Sequence, residues 1–200
     1  METSSSPFRY FRDPHHFSSY TDRGEVCPFC NLTLPGYGGG FSGEAQYDDL
    51  EFICETCLLD GKLIEKGLAT NQGCDVRPEL RQRHPELDEI GREALAQQRI
   101  VELEQRTPPI MTWQGLIWPS HCGDYCCFIK EAGQLDMNRL APDGNGRVFF
   151  EAHLDEPGRD DIWEGVRPDA PTDNAVGYSV GVYLFQCLEC GEYLIRWDCD

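Results

Sequence analysis

The chain has 200 residues, of which 40% are apolar, 11% aromatic and 26% charged, enough to bury a core and too rich in Trp, Tyr and Phe to be disordered as a whole. Seventeen Lys and Arg against 35 Asp and Glu give a formal net charge of −18, and residues 151–200 alone hold twelve acids against three arginines. That balance repels phosphate backbones and anionic lipid surfaces, which excludes direct nucleic-acid and membrane-surface binding and favours a basic partner.

No apolar run approaches the ~18 residues that span a bilayer. The opening METSSSPFRYFRDP lacks the charged-then-apolar layout of a secretory signal, so a cytoplasmic location with reduced thiols is expected.

In chain order, residues 7–14 (PFRYFRDP) alternate aromatics and read as an extended N-terminal arm laid on the body. Residues 34–43 (LPGYGGGFSG) read as a Pro/Gly-rich turn. Residues 54–66 (CETCLLDGKLIEK) read as a knuckle entering a short helix, with Leu58, Leu59, Leu63 and Ile64 on its apolar side. Residues 85–106 predict a longer helix with Pro85 in its first turn and Pro108 past its end. Leu87, Ile90, Ala94 and Val101 approximate its apolar face, which Leu95 and Leu103 widen; its polar side reads as solvated. Residues 124–133 (DYCCFIKEAG) read as a short helix ended by Gly133, and 148–154 (VFFEAHL) as a strand. Residues 155–177 form a long loop of seven acids against two arginines. Residues 178–198 read as strand, knuckle, strand around CLECG, with Gly191 free to take the positive φ of the turn.

Eleven cysteines carry the chemistry, six of them in C-x2-C pairs: Cys27/Cys30, Cys54/Cys57 and Cys187/Cys190. Two intervening residues let a tight turn aim both thiolates at one ion, and two such turns complete a tetrahedral four-cysteine zinc site. Cys27, Cys30, Cys54 and Cys57 fit C-x2-C-x23-C-x2-C, a spacer slightly longer than that of common zinc signatures. Cys187 and Cys190 need donors from elsewhere, and the compact cluster is SHCGDYCC. The simplest closure uses Cys122 and His121, with Asp124 as the substitute if His121 points away; Gly123 allows the sharp turn that adjacent ligands require. Two Zn2+ ions are therefore expected. Trp113 and Trp118, just before this cluster, are expected to shield it, and Cys74, Cys127 and Cys199 to serve as packing residues, while Cys126 stays open between donor and packing roles.

The expected fold class is α+β, with small zinc-ribbon-like β-hairpins and C-x2-C knuckles packed with a few helices. Residues 1–75 would form the arm and first zinc module, 76–108 a connecting helix, and 109–200 a second module carrying the acidic loop 155–177.

Motifs for the common enzyme classes (G-x-S-x-G, P-loop, G-x-G-x-x-G, H-E-x-x-H) are absent from the sequence. Two enzymatic alternatives stay open. CPFC resembles a glutaredoxin active site, although the NLTLPGYGGG after it cannot start the helix that would activate Cys27. A zinc held by Cys187, Cys190 and His121 with a water in place of Cys122 would be catalytic.

FRYFRDP at the opening, the three C-x2-C motifs, the run from Trp113 to Asp124 and the ending YLFQCLECGEYLIRWDCD together resemble the CbrC family of bacterial proteins. The resemblance spans nearly the whole chain and implies metal binding by Cys27, Cys30, Cys54, Cys57, Cys187 and Cys190, with His121, Cys122 and Asp124 as a shared motif. Departures are Cys126 and Cys127 in place of small residues and Asn31 in place of a knuckle glycine. The family is named for tolerance to a DNase-type colicin, which implies an immunity-type inhibitor of a basic, nuclease-like toxin. On this reading the protein is not an enzyme, and Asp155, Glu156, Asp160, Asp161, Trp163 and Glu164 contact the toxin. A zinc-dependent or thiol-redox enzyme, or a stress-response adaptor, is the alternative.

Overall fold

The computed structural model describes residues 6–43, 50–155, 162–169 and 179–199. The protein is α+β, with small, largely antiparallel sheets and several helices. The N-terminal arm leads into α1 (Pro14–Phe17) and then a sheet of order β1-β2-β3, from β1 (Tyr20–Val26), β2 (Thr33–Gly38) and β3 (Phe52–Cys54). The arm lies on the body as expected: Phe8, Tyr10 and Phe11 are buried, and Tyr10 and Arg12 exchange backbone hydrogen bonds with Phe128.

Residues 34–38 are not the turn that their Pro and Gly content suggests; they belong to the central strand β2. The Thr21↔Gly36 and Glu25↔Leu34 pairs leave Pro35 facing a bulge in β1, where its missing N–H breaks no regular ladder bond. Gly36 is required by close approach, since a Cβ there would stand 2.3 Å from the Ile53 carbonyl oxygen.

Next come α2 (Glu55–Leu59), a 3-10 turn (Ile64–Lys66), β4 (Gln72–Gly73), α3 (Arg77–Arg83) and α4 (Glu89–Arg106). The long helix starts four residues later than Pro85 suggests, because Asp88 caps it by accepting a 2.7 Å hydrogen bond from the Gly91 N–H. Its buried stripe is Ala96 and Leu103, with Ile100 packed beside them, whereas Ile90 is 80% exposed. Ala94 is exposed too and Leu87 only half-buried, so the apolar face inferred from Leu87, Ile90 and Ala94 does not form.

β5 (Ile117–Trp118) pairs in parallel with β4; β6 (Ser120–His121) and β7 (Asp124–Tyr125) form a tight hairpin. Residues 124–131 are strands and not the expected helix: β8 (Cys127–Glu131) pairs with the apolar run 180–186, and this tertiary ladder overrides local propensity. Residues 146–153 reverse the other way. They form α6 (Gly146–His153) after α5 (Gln134–Leu140), because the Asn145 side chain caps the helix at the Val148 N–H and Phe149 and Phe150 turn together into a core. α7 (Ile162–Gly165), β9 (Val180–Gln186) and β10 (Tyr193–Cys199) complete the chain, with sheet order β10-β9-β8.

β9 is central and buried on both faces. Tyr183 and Phe185 join a first core with Trp118, Phe11, Phe128, Tyr37 and most of the cysteines. Val180, Val182 and Leu184 join a second core under α5, α6 and α7. Alternation along one strand thus sets the cysteine-bearing side of the sheet apart from a helical layer on the other. Among the described residues, no helix is long and apolar enough to cross a membrane.

Candidate metal centres

The β1–β2 hairpin turns through Cys27–Asn31. The Asn31 N–H donates to the Cys27 carbonyl at 2.8 Å and the Cys27 N–H to the Leu32 carbonyl at 2.9 Å. Asn31 sits at φ +59°, a left-handed conformation that Asn tolerates better than most side chains, so the residue stands in for a knuckle glycine. The β9–β10 hairpin repeats this bonding: the Gly191 N–H donates to the Cys187 carbonyl at 3.1 Å and the Cys187 N–H to the Glu192 carbonyl at 2.8 Å, with Gly191 at φ +78°.

Across the first sheet, Cys54 ends β3 and Cys57 lies in the first turn of α2. One ligand atom from each of Cys27, Cys30, Cys54 and Cys57 falls within 4.8 Å of the others, and the Cys30 and Cys54 sulfurs are 3.9 Å apart. Tetrahedral Zn–S bonds of ~2.3 Å require sulfurs ~3.8 Å apart, so the residues fit such an ion. Burial pushes the Cys27 thiol up, yet N–H groups of Cys54, Phe29 and Cys30 outweigh it and hold Cys27 below the ordinary thiol value. Burial pushes Cys54 and Cys57 up. Without an ion the site favours thiols over several adjacent thiolates; a dication reverses that preference.

In the second centre, Cys122 (φ +59°) and Gly123 (φ +80°) are the two central residues of the β6–β7 turn, and positive φ at both defines a type I′ hairpin. This turn lets adjacent residues face one point. His121, Cys122, Cys187 and Cys190 bring ligand atoms within 4.8 Å of one another. His121 Nδ1 lies 3.3 Å from the Cys190 sulfur and 3.4 Å from that of Cys122, close to the ~3.5 Å edge of a mixed tetrahedron built from ~2.0 Å Zn–N and ~2.3 Å Zn–S bonds. Burial, reinforced by hydrogen bonding to Cys190 and Cys187, pushes the Cys122 thiol up to about 12. Backbone donation from Glu192 holds Cys190 below the ordinary value.

A frame of charged side chains grips this turn. From α3, Glu79 accepts from the Gly123 N–H at 2.8 Å and from the Ser120 hydroxyl, while the Arg83 guanidinium donates to the Cys122 sulfur. From α4, Arg99 donates to the Gly123 carbonyl and lies 3.4 Å from Asp124. Asp124, the substitute donor, is committed elsewhere: it accepts from the Tyr10 hydroxyl at 2.7 Å and from Arg9 at 2.6 Å. Trp118, fully buried, donates its indole N–H to the Cys126 carbonyl at 2.7 Å; Trp113 is 45% exposed. The polar face of α4, read from sequence as merely solvated, and α3, which the sequence did not reveal, supply this frame. Charged residues on an exposed helix look alike whether or not they reach a turn, so no sequence signal marked Glu79, Arg83 and Arg99.

The other cysteines stand apart from both centres. Cys126 and Cys127 are buried, Cys74 lies 3.1 Å from the Ser120 hydroxyl, and the Cys199 carbonyl accepts from Gln114. Of the expected partner contacts, Asp155 is paired with Arg196 and Glu164 with Arg147. Trp163 is half-buried, its ring 5.6 Å from Phe150. Glu156, Asp160 and Asp161 lie outside the described residues.

Residues 6–199, from the arm to the end of β10, match the uncharacterised protein family UPF0167. The chain belongs to that family. This finding overturns the resemblance to CbrC. A relative, the UPF0167 protein PA1536 of Pseudomonas aeruginosa, is 24% identical over 198 residues, covering 96% of this chain and 95% of its own. No solved structure matches the chain.

Proposed function

We propose that this UPF0167 chain is a non-enzymatic zinc-binding protein whose braced, acidic body binds a basic protein. Cys27, Cys30, Cys54 and Cys57 hold one Zn2+, and His121, Cys122, Cys187 and Cys190 hold the other; the knuckles then act as zinc-ribbon-like hairpins. The observation that carries the reading is that each cluster gathers four potential ligand atoms within 4.8 Å of one another, four sulfurs in the first and three sulfurs with an imidazole nitrogen in the second. Thiolate-rich tetrahedral sets favour zinc, and four protein ligands leave no position for a substrate or an activated water. Such metal acts on folding, by tying distant segments of the chain together.

Zinc leaves the acidity in place. Four thiolates around Zn2+ carry a formal −2 and three thiolates with a neutral imidazole carry −1, so the −18 of the side chains deepens. A cytoplasmic, basic protein of nuclease-like toxin type, cationic because it binds phosphate, fits this field, and an immunity-type inhibitor is the corresponding role. Charge complementarity now supports that choice, since the CbrC resemblance no longer does. Asp155, Trp163 and Glu164, with Glu156, Asp160 and Asp161, are the proposed contacts. Partner arginines would displace Arg196 and Arg147 from Asp155 and Glu164.

Metal analysis of protein purified without added zinc should find two Zn2+ per chain, one for each cluster, and a chelator should lower its unfolding midpoint. Iron or no metal would end the zinc reading. Binding to a basic nuclease domain should weaken steeply with salt and be lost on reversing the charges at 155–164; binding indifferent to both would rule out this surface.

A further inference from the structure

The two centres share donor spacing but differ in access. In the first, Cys27, Cys54 and Cys57 are buried and Cys30 is half-buried. In the second, Cys122 and Cys187 are buried, His121 is half-buried and Cys190 is exposed, the one exposed cysteine among the described residues. Leu188, between Cys187 and Cys190, is 45% exposed, so the tip of this knuckle projects into solvent. Arg83 covers the Cys122 sulfur, and a charge-assisted hydrogen bond withdraws electron density from a thiolate and slows its attack. No such cation contacts Cys190 among the described residues; its neighbours are the other three ligands and the Glu192 N–H.

On the zinc reading above, we propose that Cys190 is an oxidation site: a hydroperoxide attacks the second centre through Cys190 and releases that zinc while the first centre keeps its own. The Cys190 thiolate attacks the terminal oxygen of the hydroperoxide. The O–O bond breaks, the alkoxide or hydroxide leaves and takes a proton from water, and Cys190 becomes a sulfenic acid. Sulfur has given two electrons and the peroxide has accepted them. Cys187 or Cys122 then attacks the oxidised sulfur, an S–S bond forms, and hydroxide leaves and takes a second proton. With ligand atoms within 4.8 Å, closing an S–S bond of ~2.05 Å needs only a short movement. Two of four donors are lost, and the remaining pair cannot hold the ion. The Cys30 and Cys54 sulfurs are as close, at 3.9 Å, so access and not spacing separates the centres.

The test uses the full-length, zinc-loaded protein, with metal content measured first. Hydrogen peroxide is then added, released zinc is read with a chromogenic chelator, and thiols are mapped by mass spectrometry. One of the two ions should be released, with a disulfide joining Cys190 to Cys187 or Cys122 and with Cys27, Cys30, Cys54 and Cys57 still reduced. In a separate arm without peroxide, iodoacetamide should label Cys190 about ten-fold faster than any first-centre cysteine, the difference expected between an exposed and a buried thiolate. Release of both ions together, or first oxidation at Cys30 or another cysteine, would overturn the assignment while leaving the zinc reading intact. Protein free of zinc before peroxide would end both.

Discussion

At the residue scale, Asp124 sits beside a candidate ligand turn while its carboxylate is committed to other partners. The residue is 8% exposed and its carboxylate joins three elements: Arg9 and Tyr10 of the arm, Arg99 of α4 and the β6–β7 turn. Truncation to Ala leaves the Tyr10 hydroxyl without its acceptor and Arg99 without its carboxylate, a loss of about 3 kcal/mol for a broken buried charge network. Tyr10→Phe removes one hydrogen bond and should cost about 1 kcal/mol. The two share a partner, so the double variant should be little worse than Asp124→Ala alone. Urea-unfolding midpoints measure all three. Metal content decides the role, because Asp124→Ala should retain two ions; loss of one would make Asp124 a ligand after all. Asn31 and Cys122 belong to this scale too, since each holds a positive φ that usually calls for glycine. Asn31 was visible in the sequence as a departure from a knuckle glycine. That Cys122 would be left-handed was not, because only the hairpin formed with Asp124 and Tyr125 demands it.

At the element scale, β9 is the hinge of the architecture. Phe185→Ala opens a cavity beneath Trp118 and Phe128, whose rings stand 5.2 and 5.3 Å from that of Phe185, and should cost about 3 to 5 kcal/mol. Leu184→Ala opens the helical side and should cost about 2 to 5 kcal/mol. Their locations separate them: the Phe185 variant should lose zinc to a chelator faster, while the Leu184 variant should loosen α5 and α6 in amide exchange and leave chelation unchanged. Equal effects of both on chelation would mean that the two cores are one. β9 and β10 were legible because an unbroken apolar run around a C-x2-C turn leaves few alternatives. β8 and α6 were not. CCFIKE has a helix-compatible spacing, and its strand state exists only because β9 lies beside it. VFFEAH is rich in strand formers, yet the Asn145 cap and the pairing of α5 with α6 make it helical. Local composition misleads wherever packing against a distant segment outweighs the preference of the residues themselves. C-x2-C spacing was the better guide: the structure brings the four candidate donors of each cluster within 4.8 Å of one another although their elements lie apart in the chain.

At the scale of the whole molecule, the zinc reading makes metal and protons competitors for the same sulfurs, and that competition would set opposite pH responses for loaded and metal-free protein. In the metal-free chain, burial pushes Cys57 and Cys126 up and Cys122 up to about 12, from an ordinary 9.0. Below the unfolded value these thiols are neutral in both states, and whatever stability their burial provides is fully present. Above it, the unfolded chain releases protons that the folded chain keeps, so stability falls as pH rises from about 9 toward about 12. Zinc-bound cysteines are already deprotonated when folded, while the unfolded chain binds protons below the ordinary value. Stability of the loaded protein therefore rises with pH up to about 9 and is lost on acidification as protons displace the ion. Tyr10, Tyr37 and Tyr183, pushed up by burial and by Asp124, Glu55 and Asp198, add the same alkaline loss to both forms. Unfolding midpoints from pH 6 to 10, with and without a chelator, should diverge as pH rises to 9 and separate further beyond it, because Cys57 and Cys122 then cost the metal-free form stability and leave the loaded form unaffected. Parallel curves across the whole range would mean that the paired sulfurs are buried thiols and nothing more.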